Sequence, residues 1–412
     1  DQTSLSAVSL AGQVQFVLSL FISGIAAGAG IMAAQYWGKR DAASIEKVIP
    51  IALRTNLLFS GLFTILAGFC PEILMRIFTN DVALVASGSQ YLRAVALSYV
   101  LCGISQVYLI LLKNTGHAAV SSRISSTAVV LNIILNAILI YGLCGAPALG
   151  IRGAAYATVA ARVVELIWAY LETKKPERVR ILWNRLFSSA GKILSEDFWR
   201  YTLPVLAASL VWGIAYVLYS VIMGHMGSDA VAANSITSIA KSLLSCLIRG
   251  VSGGAGVLIG NLLGANELEK AREYGGRLSH LSIAIGIVTG GLLMLISPAI
   301  VHFAPLSDTA AEYLQYMLLF CGLNLMAQSV NTTVLDGIFC AGGDAKFDMQ
   351  GNIGAMWCFS VPLGFLAAFW LKLPVMVVYC IVNLDEIVKL PAVYHHYKKY
   401  IWVRNITRDV ED

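Results

Sequence analysis

The sequence predicts an all-α membrane protein made of two related helical bundles. Three observations support this fold class: an apolar composition, an internal repeat and a one-sided distribution of basic residues. Of the 412 residues, 58% are hydrophobic and 13% are charged, which is about half the charged fraction of an average soluble domain. So few charged side chains cannot cover a water-facing surface, and we therefore expect most of the surface to face lipid.

Eleven apolar segments are long enough to cross a bilayer as helices, since about 20 residues span its hydrocarbon core. They cover residues 11–36, 48–70, 91–113, 122–143, 149–171, 201–224, 233–262, 276–301, 311–340, 349–371 and 373–395. The segments lack the alternation of polar and apolar residues that is typical of a membrane β-barrel. Helices are the other way to satisfy the backbone in lipid.

The first half of the chain recurs in the second half at a constant offset. Residues 18–38 align with 244–264, and 8 of these 21 pairs are identical. At this offset segment 201–224 lacks a counterpart, so we expect a first helix to be missing before residue 1. Two six-helix bundles in the same orientation would be related by a pseudo-two-fold axis along the membrane normal. The predicted organisation is an N-terminal lobe (1–172), a cytoplasmic linker (173–200), a C-terminal lobe (201–396) and a cytoplasmic tail (397–412).

Basic residues follow alternate spans. The connections after every second span, together with the tail, hold 21 of the 29 lysines and arginines. The positive-inside rule places these connections and the C-terminus in the cytoplasm. Topology accounts for the net charge of +5, and no clustered basic face of the kind that binds nucleic acid is present.

Cysteine spacing and polar residues give no sign of a metal, a cofactor or catalysis. The eight cysteines are scattered singly, without the CxxC or Cys/His spacing of a zinc site. An intramembrane enzyme would need converging Ser/His, paired Asp or His/Glu groups, and a channel would need a filter loop. Neither is apparent in the sequence, and we therefore expect a protein that is not an enzyme.

Two glycine-rich segments occupy equivalent places in the repeat, and their glycines follow small-xxx-small spacing, which permits close helix packing. Tight static packing and helix sliding are both open interpretations. The glycines are Gly24, Gly28 and Gly30 in the first half, and Gly250, Gly254 and Gly256 in the second.

Polar residues at four-residue spacing form three stripes, two of them on the glycine-rich helices. The stripes are Gln15, Ser19 and Ser23; their repeat counterparts Lys241, Ser245 and Arg249; and Asn324, Gln328, Thr332 and Asp336. A charge at mid-membrane costs about 2.5–3.5 kcal/mol, so these side chains should face water or a partner. They either join helices together or line a hydrated central cleft, and Asp336 is the expected counter-ion for Lys241 or Arg249.

The run LSAVSLAGQVQFVLSLFISGIAAGAGIMAAQYWGKRD resembles the second-helix signature of MATE (multidrug and toxic compound extrusion) transporters. KNTGHAAVSSRISSTAVVLNIILNAILIYG, LGIRGAAYATVAARVVE, GGDAKFD and the segment from VPLGFLAAFW to PAVYHHYKKY are similar to later parts of the same family, in the same order. The resemblance, to DinF-like and NorM-like members of the MOP superfamily, implies export of organic drug-like compounds, cations among them. It implies alternating access of two lobes, coupling to H⁺ or Na⁺, and a monomer in the bacterial cytoplasmic membrane.

Two departures from the family pattern bear on coupling. The ion-coupling aspartate common on the first helix is absent, and Asn136 stands where many members have an aspartate. Asparagine cannot titrate, so Asn132 and Asn136 could offer oxygen atoms to Na⁺ but could not carry H⁺. Asp336 is therefore the predicted titratable carrier.

The charge of the substrate depends on the two bases. Lys241 and Arg249 would repel a cation unless an acid neutralises them, so unpaired bases in the pathway would favour an anionic or zwitterionic substrate. The alternative function is a flippase for lipid-linked oligosaccharides from the same superfamily, which the same two bases would also suit.

Overall fold

The computed structural model describes residues 2–145, 147–181, 183, 186 and 191–408, without the side chains of residues 2–5 and 144. All regular secondary structure in these ranges is helical, as predicted. The chain packs as two units, residues 1–206 (unit 1) and 207–411 (unit 2). The division lies within one helix, a few residues beyond the predicted start of the second lobe at 201.

The helices of unit 1 are α1 (Gln2–Gly38), α2 (Ala42–Phe69), α3 (Pro71–Arg76), α4 (Val82–Val95), α5 (Leu97–Leu112), α6 (Ala118–Tyr141), α7 (Gly150–Thr173) and the first part of α8 (Lys192–Gly224). Aspartates cap two of them: Asp41 accepts a hydrogen bond from the Ser44 amide at 3.0 Å, and Asp81 accepts one from the Ala83 amide at 2.8 Å. Such caps satisfy amides that have no partner within the helix.

Unit 2 contains the rest of α8 and seven further helices: α9 (Ser228–Gly264), α10 (Leu268–Phe303), α11 (Asp308–Thr332), α12 (Ala345–Asn352), α13 (Val361–Phe365), α14 (Val375–Val382) and α15 (Asp385–Tyr397). π-Helical segments cover Thr333–Phe339, Ile353–Ser360 and Leu366–Trp370 here, and Lys113–His117 in unit 1.

The repeat predicted from the sequence is present in the helix boundaries. Helices α1 and α9 are both 37 residues long. They begin at Gln2 and Ser228, and the helices that follow, α2 and α10, begin at Ala42 and Leu268. Both pairs of first residues differ by the same offset that relates residue 18 to residue 244. Each glycine-rich helix is followed by a residue in the left-handed region, Arg40 (φ 64°) and Asn266 (φ 60°). The two halves therefore share local conformation as well as sequence.

Nine helices of the described chain are long and apolar enough to cross a membrane. Most of the predicted spans 91–113 and 122–143 lies in one long helical segment, Leu97–Tyr141. This segment has a kink at Thr115 and Gly116, whose dihedral angles are not helical. The predicted span 373–395 is broken between α14 and α15. Large apolar side chains such as Leu295 (78% exposed) cover the outer helix faces, the surface that lipid would contact.

Parts of the predicted linker and tail belong to helix α8 and to the core of unit 2. Helix α8 begins at Lys192, so residues 192–200 are helical. The side chain of Trp402 is fully buried in a core with Ile259, Leu263 and Phe339, so the start of the predicted tail packs into unit 2. The indole is large and apolar, and its burial outweighs the basic character of the segment. Residues 182, 184, 185, 187–190 and 409–412 of these two segments lie outside the described residues.

Candidate functional site

Each unit contains a polar cavity lined by its glycine-rich helix. The cavity of unit 1 has a volume of about 210 Å³, and α1 contributes Gln15, Ser19 and Ser23 to its wall. The cavity of unit 2 has a volume of about 150 Å³, and the repeat counterparts Lys241, Ser245 and Arg249 line it. Both predicted stripes on these helices thus face a cavity in their own unit.

The cavity of unit 1 presents neutral polar groups. Helix α5 adds Tyr99 and Gln106 to the wall, and α7 adds Arg162. The Arg162 guanidinium lies 2.9 Å from both carboxylate oxygens of Glu165, which also accepts a hydrogen bond from the Ser105 hydroxyl. Because Glu165 neutralises Arg162, this cavity offers hydroxyl and amide groups without an unpaired charge.

The cavity of unit 2 combines aromatic rings with charged groups. Trp212 and Tyr216 stack with ring centroids 5.6 Å apart and an interplanar angle of 17°. The wall consists of Trp212, Tyr216, Tyr219, Ser238, Lys241, Ser242, Ser245, Arg249, Gln328, Met356, Asn383, Asp385 and Glu386. The wall thus brings together residues from α8, α9, α11 and α15.

Lys241 and Arg249 have neutral partners. The Lys241 ammonium donates a 2.9 Å hydrogen bond to the side-chain oxygen of Asn324, and the Arg249 guanidinium lies 5.5 Å from the ring centroid of Trp212. Among the described residues, no carboxylate lies within ion-pair distance of either base. Neither positive charge is therefore held in a direct ion pair by a described residue.

Residues of the third predicted stripe, on α11, form hydrogen bonds with α9 and with the end of α14. Asn324 binds Lys241 and also donates to the backbone oxygen of Asn383. Gln328 accepts a 3.4 Å hydrogen bond from Ser245 and lines the cavity. The Thr332 backbone oxygen accepts a hydrogen bond from Ser252. The first half of this stripe thus serves both interpretations, since it joins helices and lines a cavity.

Asp336 departs from the expectation that it pairs with Lys241 or Arg249. It is an exposed residue of the π-helical segment Thr333–Phe339, is absent from the cavity wall and forms no ion pair with a described residue. An α-helix has 3.6 residues per turn, so each four-residue step drifts by about 40° around the helix axis, and Asp336 is three such steps from Asn324.

A buried charge cluster adjoins the cavity of unit 2. The Lys389 ammonium lies 3.5 Å from Asp385, 3.2 Å from Glu386 and 3.2 Å from the side-chain oxygen of Asn352. Glu386 also accepts a 2.8 Å hydrogen bond from Asn331. The predicted one-turn pairing of Asp385 with Lys389 is present, whereas no sequence pattern indicated the partners from α11 and α12.

Asn132 and Asn136 lie together but away from the cavity of unit 1. Asn136 donates a 3.0 Å hydrogen bond to the Asn132 side-chain oxygen, and Asn132 donates at 3.3 Å to the Thr158 hydroxyl. The buried side-chain oxygen of Asn136 accepts no hydrogen bond from a described residue. Neither asparagine belongs to the cavity wall.

Four of the six predicted packing glycines make close contacts. A methyl group at Gly24 would lie 2.9 Å from the Cα of Leu206, and one at Gly28 would lie 2.7 Å from the Cα of Thr202. Gly30 packs against α5 and Asn114, and Gly256 packs against Gly337. Gly250 and Gly254 have no described atom within 4 Å of that position, so their role in packing stays a prediction. Small-residue spacing permits close packing but does not require a neighbouring helix.

Comparison with known proteins gives a consistent result. The sequence profile of the MatE family matches residues 1–138 and 204–366. The uncharacterized transporter YisQ of Bacillus subtilis is 21% identical over 98% of this chain and 88% of its own length. The probable multidrug resistance protein NorM of Agrobacterium fabrum is 24% identical over 89% of this chain and 79% of its own length.

Solved structures share the fold. A MOP superfamily transporter from Pyrococcus furiosus superposes with a TM-score of 0.87 at 20% identity, over 97% of this chain and 88% of its own. An outward-facing multidrug resistance transporter of the MATE family gives the same values. The all-helical membrane fold predicted from the sequence is confirmed.

Proposed function

Since the chain belongs to the MatE family of membrane transporters, we propose that it is a secondary active exporter, an antiporter that moves organic compounds out of the cytoplasm in exchange for H⁺ or Na⁺. Transport proceeds by alternating access. The protein acts as a monomer in the bacterial cytoplasmic membrane, with its C-terminus in the cytoplasm as the distribution of basic residues indicates.

The observation that carries this proposal is the pair of polar cavities on the repeated helices. Each cavity is lined by a glycine-rich helix that is long and apolar enough to cross a membrane. Polar groups at membrane depth are costly unless water or a partner satisfies them. Sites at the same place in two repeats are the arrangement expected of a transporter that evolved by duplication.

The coupling ion requires a group that changes its charge or binds a cation. We assign this role to Asp336, because it is the carboxylate of the α11 stripe and has no ion-pair partner among the described residues. Asp385 and Glu386 already share the Lys389 ammonium. In unit 1, the free side-chain oxygen of Asn136 could contribute to a Na⁺ site but not to proton transfer.

Uptake of ethidium and of fluorescein into inverted membrane vesicles tests the proposal. We expect at least one dye to accumulate when a proton or sodium gradient is imposed, and accumulation to stop when that gradient is collapsed. A protonophore and Na⁺-free medium distinguish the two ions. Transport of neither dye under either gradient would contradict the export function, and gradient-independent movement of a lipid-linked sugar would favour the flippase.

Asp336→Asn tests the assignment of the coupling residue. Gradient-driven accumulation should be lost, while dye binding to the purified protein should be retained, since Asp336 is absent from the cavity wall. Asp308→Asn, at the exposed start of the same helix, is the matched control and should transport normally. Wild-type coupling in Asp336→Asn would remove Asp336 from the mechanism.

A further inference from the structure

The two cavities differ in charge at equivalent positions. Gln15 and Ser23 in unit 1 become Lys241 and Arg249 in unit 2, while Ser19 and Ser245 are the same. Helix α1 folds and lines its cavity without either charge, so the shared architecture does not require the two bases. We therefore expect Lys241 and Arg249 to have a role that is specific to the cavity of unit 2.

Short-range contacts leave both bases available to a ligand. Lys241 donates one hydrogen bond to a neutral amide, and an ammonium has three donors. Arg249 is exposed and rests near the Trp212 ring, without a carboxylate partner among the described residues. Guanidinium and ammonium groups in this state bind carboxylates and sulfonates by charge-assisted hydrogen bonds.

The acids in the same wall cancel these charges only in part. Asp385 and Glu386 lie 3.5 Å and 3.2 Å from the Lys389 ammonium, so Lys389 occupies the acidic side of the cavity. Lys241, Arg249 and Lys389 carry three positive charges against the two carboxylates of Asp385 and Glu386, so an organic cation would meet a net charge of +1 here. An anion would meet two free donors.

The aromatic part of the wall indicates the rest of the ligand. The parallel Trp212 and Tyr216 rings offer a flat apolar surface beside Arg249. Stacked aromatic rings favour a planar aromatic group. On the basis of the proposed export function, we infer that the cavity of unit 2 binds aromatic organic anions, with a carboxylate or sulfonate held by Lys241 and Arg249 and the ring against Trp212 and Tyr216.

Two xanthene dyes of opposite charge provide the test. Fluorescein, an anion, and tetramethylrhodamine methyl ester, a cation, are titrated against the purified full-length chain in lipid nanodiscs, and binding is followed by fluorescence anisotropy. We expect fluorescein to bind more tightly. The double variant Lys241→Gln with Arg249→Ser gives unit 2 the residues that α1 has, and should bind fluorescein at least about tenfold more weakly, as loss of charge-assisted hydrogen bonds predicts.

The control is Arg277→Gln, which removes a positive charge from an exposed pair with Glu273 and should leave fluorescein binding unchanged. If the double variant does not fold, competition on the wild type decides the question: benzenesulfonate should displace fluorescein, and trimethylphenylammonium should not. Tighter binding of the cationic dye, unchanged fluorescein binding in the folded double variant, or displacement by trimethylphenylammonium would overturn the inference. Binding is measured at equilibrium without an ion gradient. The binding result therefore tests this inference even if the transport assay of the proposed function fails.

Discussion

Removing the Lys389 ammonium should destabilise unit 2 strongly. Lys389 is 5% exposed and lies within 3.5 Å of Asp385 and Glu386. At an effective dielectric of about 20, unit charges 4 Å apart attract each other by about 4 kcal/mol. Desolvation cancels most of this gain while the cluster is intact. Lys389→Met leaves two buried carboxylates without a cation, and we expect it to lower the free energy of unfolding by about 3–5 kcal/mol.

Unfolding by SDS in mixed micelles, followed by circular dichroism, measures this loss. Arg277→Met breaks an exposed pair, in which the arginine side chain is 65% exposed, and should cost about 1 kcal/mol or less. Adding Asp385→Asn and Glu386→Gln to Lys389→Met removes the uncompensated charges and should recover part of the loss. A stability of Lys389→Met within about 1 kcal/mol of the wild type would refute the reasoning.

Three further predictions concern packing and charge. Gly28→Ala should lower the free energy of unfolding by about 1–3 kcal/mol, because the added methyl group would lie 2.7 Å from the backbone of α8. Its repeat counterpart Gly254→Ala should be nearly neutral in the same SDS assay. Equal effects of the two substitutions would contradict the packing assignment. Glu165→Gln should cost about 3 kcal/mol because it leaves Arg162 without a carboxylate, and a loss below about 1 kcal/mol would mean that water already screens the pair. Trp402→Ala should lower the free energy of unfolding by about 3–5 kcal/mol. Thermal unfolding measures the loss, with Ile401→Ala at a half-exposed side chain as the control. Similar melting temperatures of the two variants would show that residues after α15 contribute little to stability.

Much of the fold could be predicted from the sequence because helices in lipid carry strong local signals. The offset between the two repeats locates the first residues of α9 and α10 from those of α1 and α2. Four-residue spacing also placed Gln15 and Lys241 on cavity-facing sides of their helices. These features depend on the repeat and on helical periodicity alone, which is why one sequence is enough to predict them.

Other features depend on contacts between distant segments or on departures from the α-helix. Asp336 lies in the π-helical segment Thr333–Phe339, where the regular α-helical spacing on which the sequence prediction depends is interrupted. The partners that Asn331 and Asn352 provide for Glu386 and Lys389 come from separate helices. A sequence pattern gives the spacing within one helix but not the neighbours that tertiary packing brings to it.

Each unit has a buried ion pair at a similar contact between two helices. In unit 1, Glu165 on α7 pairs with Arg162 and accepts a hydrogen bond from Ser105. In unit 2, Glu386 on α15 pairs with Lys389 and accepts one from Asn331. Asn331 is the repeat counterpart of Ser105, and each repeat has an acid and a base three positions apart at this contact, although the offset aligns Arg162 and Glu165 with Val388 and Pro391.

An acid–base pair at a similar contact between two helices in both units is explained by packing. Lys241 and Arg249 have no such counterpart, because Gln15 and Ser23 stand in their places. Two basic side chains without a direct ion pair beside a membrane-depth cavity reduce stability, whereas neutral residues would not. This difference between the repeats supports the proposed anion site in unit 2.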